Sequence, residues 1–186
     1  SKRDVTFATG GSIDGTLSTG KLDVTATADS DSASGGAISM ASGTFIKSNG
    51  GNIVLTGGTG FAVSATDGVA GVTLNNANLT AGAGGITING KGFAGTTNNI
   101  GVSIAGGSQV TGDGGIGITG TGGAASGTGN FGVSLNGAGT LIATAGTGGV
   151  TITGNRGDGT SSNEGIVIDA GARVRSTATG TGAILL

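Results

Sequence analysis

A short two-pronged apolar unit returns about every 32 residues along this chain, six times over. One series of prongs runs Leu22/Val24, Ile53/Leu55, Ile86/Ile88, Ile116/Ile118, Val150/Ile152 and Ile184/Leu186, with first members 31, 33, 30, 34 and 34 residues apart. A second runs Val5/Phe7, Ile38/Met40, Val72/Leu74, Val102/Ile104, Val133/Leu135 and Ile166/Ile168, at spacings of 33, 34, 30, 31 and 33. A third, single-pronged series follows the second by seven or eight residues: Ile13, Phe45, Leu79, Val110, Leu141 and Val174. A repeat of this length is the signature of a solenoid or array.

The prongs lie two residues apart. That is strand periodicity, with both apolar side chains on one face and the residue between them on the other. Val102 and Ile104 are expected to point inward and Ser103 outward. The outward positions of the second series read Thr6, Ser39, Thr73, Ser103, Ser134 and Val167. Successive copies are too far apart for tight hairpins. Stacked in parallel and in register about 4.8 Å apart, they give an all-β fold, a parallel β-helix of about five to six coils. Right-handed winding is the default for parallel crossovers.

The three series define three sides of a coil. The return from the first series to the second takes 16 to 19 residues and forms long arcs at 25–37, 56–71, 89–101, 119–132 and 153–165. These arcs read as loop excursions or as a weaker fourth strand. Phe61/Val63 and Phe93 favour inward packing there. Asp-Gly and Asn-Gly steps at 14–15, 49–50, 67–68, 89–90, 113–114, 136–137 and 158–159 are turn signals. Asn75, Asn89 and Asn136, directly after their prongs, read as bend residues that stack their amides.

Composition supports the reading. Gly makes up 45 of 186 residues, and Pro, Cys, His, Trp and Tyr are absent. The absence of Pro suits strands whose N–H groups all pair with the next coil. The formal net charge is −2, with no basic stripe and no aromatic stacking set, so nucleic acid is not an expected partner. No stretch approaches the roughly 18–20 apolar residues of a membrane span. Ser1-Lys2-Arg3-Asp4 leads directly into a strand pattern without a signal peptide, and the far end stops inside an apolar prong. The chain is expected to be one solenoid domain over 1–186, a segment of a longer chain or filament.

The segments "GGITING…GVSIAGGSQVT", "GNFGVSLNGAGTLIATAGTGGVTITG" and "EGIVIDAGARVRSTATGTGAILL" resemble the β-helical shafts of filamentous-haemagglutinin-like adhesins and of autotransporter passenger domains exported by type V secretion. The resemblance covers essentially the whole chain and rests on repeat texture, not on a diagnostic motif. It implies an extracellular, bacterial cell-surface structural shaft, and it carries over no catalytic residue. Its partners would be neighbouring coils, further copies of itself, and host or surface glycans and proteins.

Other functions find less support. Polysaccharide-cleaving β-helices need clustered carboxylates. The densest charged group, Asp158, Glu164 and Asp169 with Arg156, Arg173 and Arg175, reads as a solvated face with pairs such as Asp169–Arg173. No enzyme activity is therefore expected, and carbohydrate binding is the alternative function. Ca²⁺ is the one cofactor the pattern leaves open, at Asp113 or Asp158, but neither sits in a tandem acidic repeat and Ca²⁺ wants several carboxylates. An ice-binding face would need a regular threonine array, and Gly117 interrupts Thr87 and Thr151. The expected core ladder is Ile53, Leu55, Ile86, Ile88, Val102, Ile104, Ile116, Ile118, Val133, Leu135, Val150, Ile152, Ile166 and Ile168. Val5, Phe7, Ile184 and Leu186 are the candidates for an end-stacking interface.

Overall fold

A computed structural model describes residues 4–31, 35–57, 60–124, 126–179 and 182–186. Residues Ser1–Arg3 and parts of the arcs 25–37, 56–71 and 119–132 lie outside the described residues. The described residues form short β-strands and no helix. The first coil holds β1 (Val5–Phe7), β2 (Ser12–Asp14) and β3 (Val24–Ala28). The second holds β4 (Ile38–Met40), β5 (Phe45–Lys47) and β6 (Ile53–Gly57), with the short β7 (Ala62–Val63) in its arc. The third holds β8 (Val72–Asn75), β9 (Asn78–Gly82) and β10 (Ile86–Lys91). The fourth holds β11 (Val102–Ala105), β12 (Gln109–Gly112) and β13 (Ile116–Thr121). The fifth holds β14 (Val133–Asn136), β15 (Leu141–Thr144) and β16 (Val150–Asn155). The sixth holds β17 (Ile166–Asp169), β18 (Arg173–Ser176) and β19 (Ile184–Leu185).

Each coil contributes one strand to each of three parallel sheets. The first sheet orders β1-β4-β8-β11-β14-β17, the second β2-β5-β9-β12-β15-β18 and the third β3-β6-β10-β13-β16-β19. The result is an all-β parallel solenoid of about five turns. Backbone bonds link coil to coil at the strand entries: the N–H groups of Ile38, Val72, Val102 and Val133 donate to the carbonyls of Gly71, Gly101, Gly132 and Gly165.

The register shows which apolar residues face inward. In the first sheet, Val5, Ile38, Val72, Val102, Val133 and Ile166 form one column, and Phe7, Met40, Leu74, Ile104, Leu135 and Ile168 the other. All residues of the expected core ladder from Ile53 to Ile152 are 2% exposed or less. Burial of one such side chain contributes roughly 1.5–3 kcal/mol. Ile166 is half-buried and Ile168 is 38% exposed, because the sixth coil has a described neighbour on one side only.

Three expectations are corrected by the register. The first copy of the third-sheet prong is Val24/Ala26, which pair with Ile53 and Leu55, and not Leu22/Val24. Leu22 sits at the preceding corner, where its N–H donates to the Ser48 carbonyl and its side chain is 36% exposed. In the second sheet the inner column is Ile13, Ile46, Leu79, Val110, Ile142 and Val174. Phe45 and Leu141 therefore face outward, one residue before the buried Ile46 and Ile142. In each case two large apolar residues are adjacent in sequence, and only the neighbouring rungs decide which of them enters the core. Third, Asn89-Gly90 is not a turn: both residues lie inside β10.

The long arcs are excursions that fold back against the strand they leave. A Cβ on Gly90, Gly120 or Gly154 would collide with the carbonyl oxygen of Gly101, Gly132 or Gly165 respectively. Gly90, Gly120 and Gly154 are themselves stacked in register. Close backbone approach, not an unusual φ, demands glycine at this pinch. The inward packing expected of Phe61/Val63 belongs instead to Ala62, which is fully buried while its two neighbours are half-exposed. Phe93 is likewise only half-buried.

Candidate functional site

Most of the buried polar side chains sit at the corners and arcs of the coil. At the corner between the first and second sheets, Thr44, Ser108 and Thr140 are buried. Their hydroxyls donate to the carbonyls of Ala41, Ala105 and Asn136 at 2.7, 2.6 and 2.8 Å. At the next corner the Ser48 hydroxyl donates to the Gly51 carbonyl at 2.6 Å, and that of Thr144 to Gly148 at 3.1 Å. A buried hydroxyl is tolerated only when bonded in this way.

The arcs carry a second polar column that the strand pattern does not reveal. Asp67, Asn99, Asn130 and Asn163 succeed one another 32, 31 and 33 residues apart. The Asn99 amide donates to Asp67 Oδ1 at 2.7 Å, and the Gly68 N–H donates to Asn99 Oδ1 at 3.1 Å. The Asn99 N–H donates to Asn130 Oδ1 at 3.0 Å, and the Asn130 N–H to Asn163 Oδ1 at 2.9 Å. Asn99 and Asn130 are fully buried. Asp67 also accepts bonds from the Thr96 hydroxyl and N–H. Donation by the Thr96 hydroxyl, followed by the Asn99 amide and the Thr96 N–H, holds the Asp67 carboxyl at about 2, below its usual 3.8. The column's signal in the sequence is its period, identical to that of the prongs. Asn75, Asn89 and Asn136 do not form such a column, although Asn136 donates to the Asp169 carboxylate.

The charged residues singled out by sequence are dispersed. Arg173 and Arg175 point outward from β18, while Asp169 ends β17, and Asp169 and Arg173 form no ion pair. Arg156, Asp158 and Glu164 lie in the last arc, where the Asp158 carbonyl accepts a bond from Asn130. Asp113 Oδ1 accepts the Ala145 N–H of the next coil at 3.1 Å, a bond between coils and not within a turn. Among the described residues no group of three or more His, Cys, Asp or Glu could hold a metal ion. Lys47 pairs with Asp14 at 3.8 Å, and its ammonium lies 4.5 Å from the centroid of the Phe45 ring.

The outer faces differ in chemistry. On the third sheet one outward column is uncharged over five rungs, formed by Thr25, Val54, Thr87, Gly117 and Thr151. Gly117 opens a depression of about 520 Å³ between Thr87 and Thr151, floored by Gly85, Gly115 and Gly149. On the second sheet a depression of about 360 Å³ lies beside Leu141, Arg173 and Arg175.

The end-stacking candidates fall on two sheets. Val5 and Phe7 are half-buried in β1, at one edge of the first sheet. Ile184 and Leu186, 43% and 61% exposed, lie at the opposite edge of the third. Across a head-to-tail junction they would not meet one another: the first-sheet counterparts of Val5 and Phe7 are Ile166 and Ile168.

Fold and surface together define a glycine-rich parallel β-solenoid whose buried polar side chains chiefly brace the coil. Comparison with protein-family models, with curated proteins and with solved structures finds no match. No helix among the described residues is long and apolar enough to cross a membrane.

Proposed function

We propose that this chain is a stiff structural shaft segment of an extracellular, bacterial cell-surface protein of the adhesin kind. The observation that supports it is the continuity of the three ladders, in which every coil pairs with the next on all three sides. Such an array gains stability from each added neighbour and resists bending, because bending must break ladder bonds on one side. The repeat texture that resembles filamentous-haemagglutinin-like shafts supports the surface location. The polar columns satisfy one another and leave the role mechanical.

Force spectroscopy along the solenoid axis tests this reading. A shaft should unravel coil by coil, each step releasing about 11 nm of contour for a 32-residue coil at 3.3–3.6 Å per residue. Collapse in one step at low force would contradict it. So would tight saccharide binding in a glycan screen that is lost when Asp158 and Glu164 are replaced.

A further inference from the structure

We infer that the first and sixth coils are complementary to each other, so that a second copy of this chain seats head to tail on the first, with Arg175 of one copy opposite Asp14 of the next. The inference rests on the shaft reading above and adds the partner and its register.

Continuation of the ladder fixes the geometry. Every rung places inner residue over inner residue, so the next coil would set Ile166 and Ile168 against Val5 and Phe7, Val174 against Ile13, and Ile184 against Val24. The hydrogen-bond polarity agrees. Val133 donates to the Gly165 carbonyl and Val150 to the Ala183 carbonyl; by the same step, Ile166 and Ile184 would donate to the carbonyls of Asp4 and Asp23 in the next copy. Ile168 and Ile184, 38% and 43% exposed, would be covered.

Two features match the terminal coils to each other more closely than to their own neighbours. The first is the corner between the second and third sheets. It spans 11 residues from Ile13 to Val24 and 10 from Val174 to Ile184, against 6 to 8 in the four coils between. The second is charge. With Val174 over Ile13, the outward positions on either side place Arg173 over Ser12 and Arg175 over Asp14. Asp14 already pairs with Lys47 of the rung behind it, so Arg175 would complete a column of alternating sign. Opposite charges directly across strands favour pairing, and like charges oppose it. Neither Arg173 nor Arg175 has an ion-pair or hydrogen-bond partner through its guanidinium within the described residues.

Sedimentation velocity over a concentration series tests the inference, with wild type, Asp14→Arg, Arg175→Asp and the double variant. Wild type should form stacks that grow with concentration. Each single reversal should weaken association at least about fivefold, and the double should restore it. Single variants that associate like wild type, or a wild type that stays monomeric at millimolar concentration, would overturn it. Amide exchange on the same samples separates the two levels. Protected amides in β10 and β13 of a monomer leave the shaft standing and remove the stacking; unprotected amides there remove both.

Discussion

Asn99 and Asn130 lie one coil apart, both fully buried, and the Asn130 side-chain oxygen accepts the Asn99 backbone N–H at 3.0 Å. This single bond repeats a relationship found again between Asn130 and Asn163. It adds a side-chain column to the backbone bonds that link arc to arc, such as those from the Asn98 and Gly129 N–H groups to the Thr128 and Ser162 carbonyls.

Replacement of Asn130 by Leu should therefore destabilise the protein by about 1–3 kcal/mol, because it strands the buried Asn99 N–H and removes the amide's own bond to the Asp158 carbonyl. Asn163→Leu removes only the part-buried bond from the Asn130 N–H and should cost less. Urea denaturation of the two variants checks the order; equal midpoints would contradict the assignment.

Inward and outward positions of one strand should respond differently to charge. Ile104 is fully buried, and Ser103 beside it faces outward. Ile104→Asp should cost several kcal/mol, as an unpaired buried charge does. Ser103→Asp should stay within about 1 kcal/mol. Thermal melts would read the difference directly.

Two glycines make a similar contrast. A methyl on Gly120 would collide with the Gly132 carbonyl, whereas one on Gly117 meets nothing within 4 Å. Gly120→Ala should destabilise by about 1–3 kcal/mol through overpacking. Gly117→Ala, with the backbone at ordinary φ, should be neutral or stabilising by about 0.4–1 kcal/mol. Denaturation of both variants in parallel would test the pinch between arc and strand.

Acid should loosen the arcs first. The folded Asp67 carboxyl sits at about 2, against 3.8 in the unfolded chain. A depressed folded value means its contribution is fully present above the unfolded value and is lost as pH falls from about 4 through about 2. Asp14, lowered by the Thr16 hydroxyl and N–H, works in the same direction. Stability measured from pH 5 to pH 2 should fall, and Asp67→Asn should flatten the part of the curve due to the arc.

The strands were legible because their signal is doubled: Val102 and Ile104 share a face, and their counterparts recur at each coil. Where only one inward residue exists, as at Ile46 beside Phe45 and Ile142 beside Leu141, period alone could not choose, and the register of adjacent rungs decides. Leu22 misled for another reason. The first corner is longer than the inner ones, so the expected prong falls one strand step early. The asparagine column is hidden in the sequence because its members sit among Gly, Ser and Thr. There a polar residue reads as loop until its own 31–33-residue spacing is followed from Asp67 to Asn163. The pinch glycines could be seen as frequent but not as paired, since Gly120 meets Gly132 only after the arc has folded back.

Successive coils of the chain stack in register, and its lack of cysteine allows a direct test. Ser103 and Ser134 are register partners on adjacent coils, and Val167 follows Ser134 on the coil beyond. In-register neighbours lie about 4.8 Å apart, within the Cα range of about 4.4–6.8 Å that a disulfide spans. Oxidation of the Ser103→Cys/Ser134→Cys variant should close a disulfide readily, while Ser103→Cys/Val167→Cys, two rungs apart, should remain reduced. Cross-linking of the second pair and not the first would contradict the stacked-coil structure.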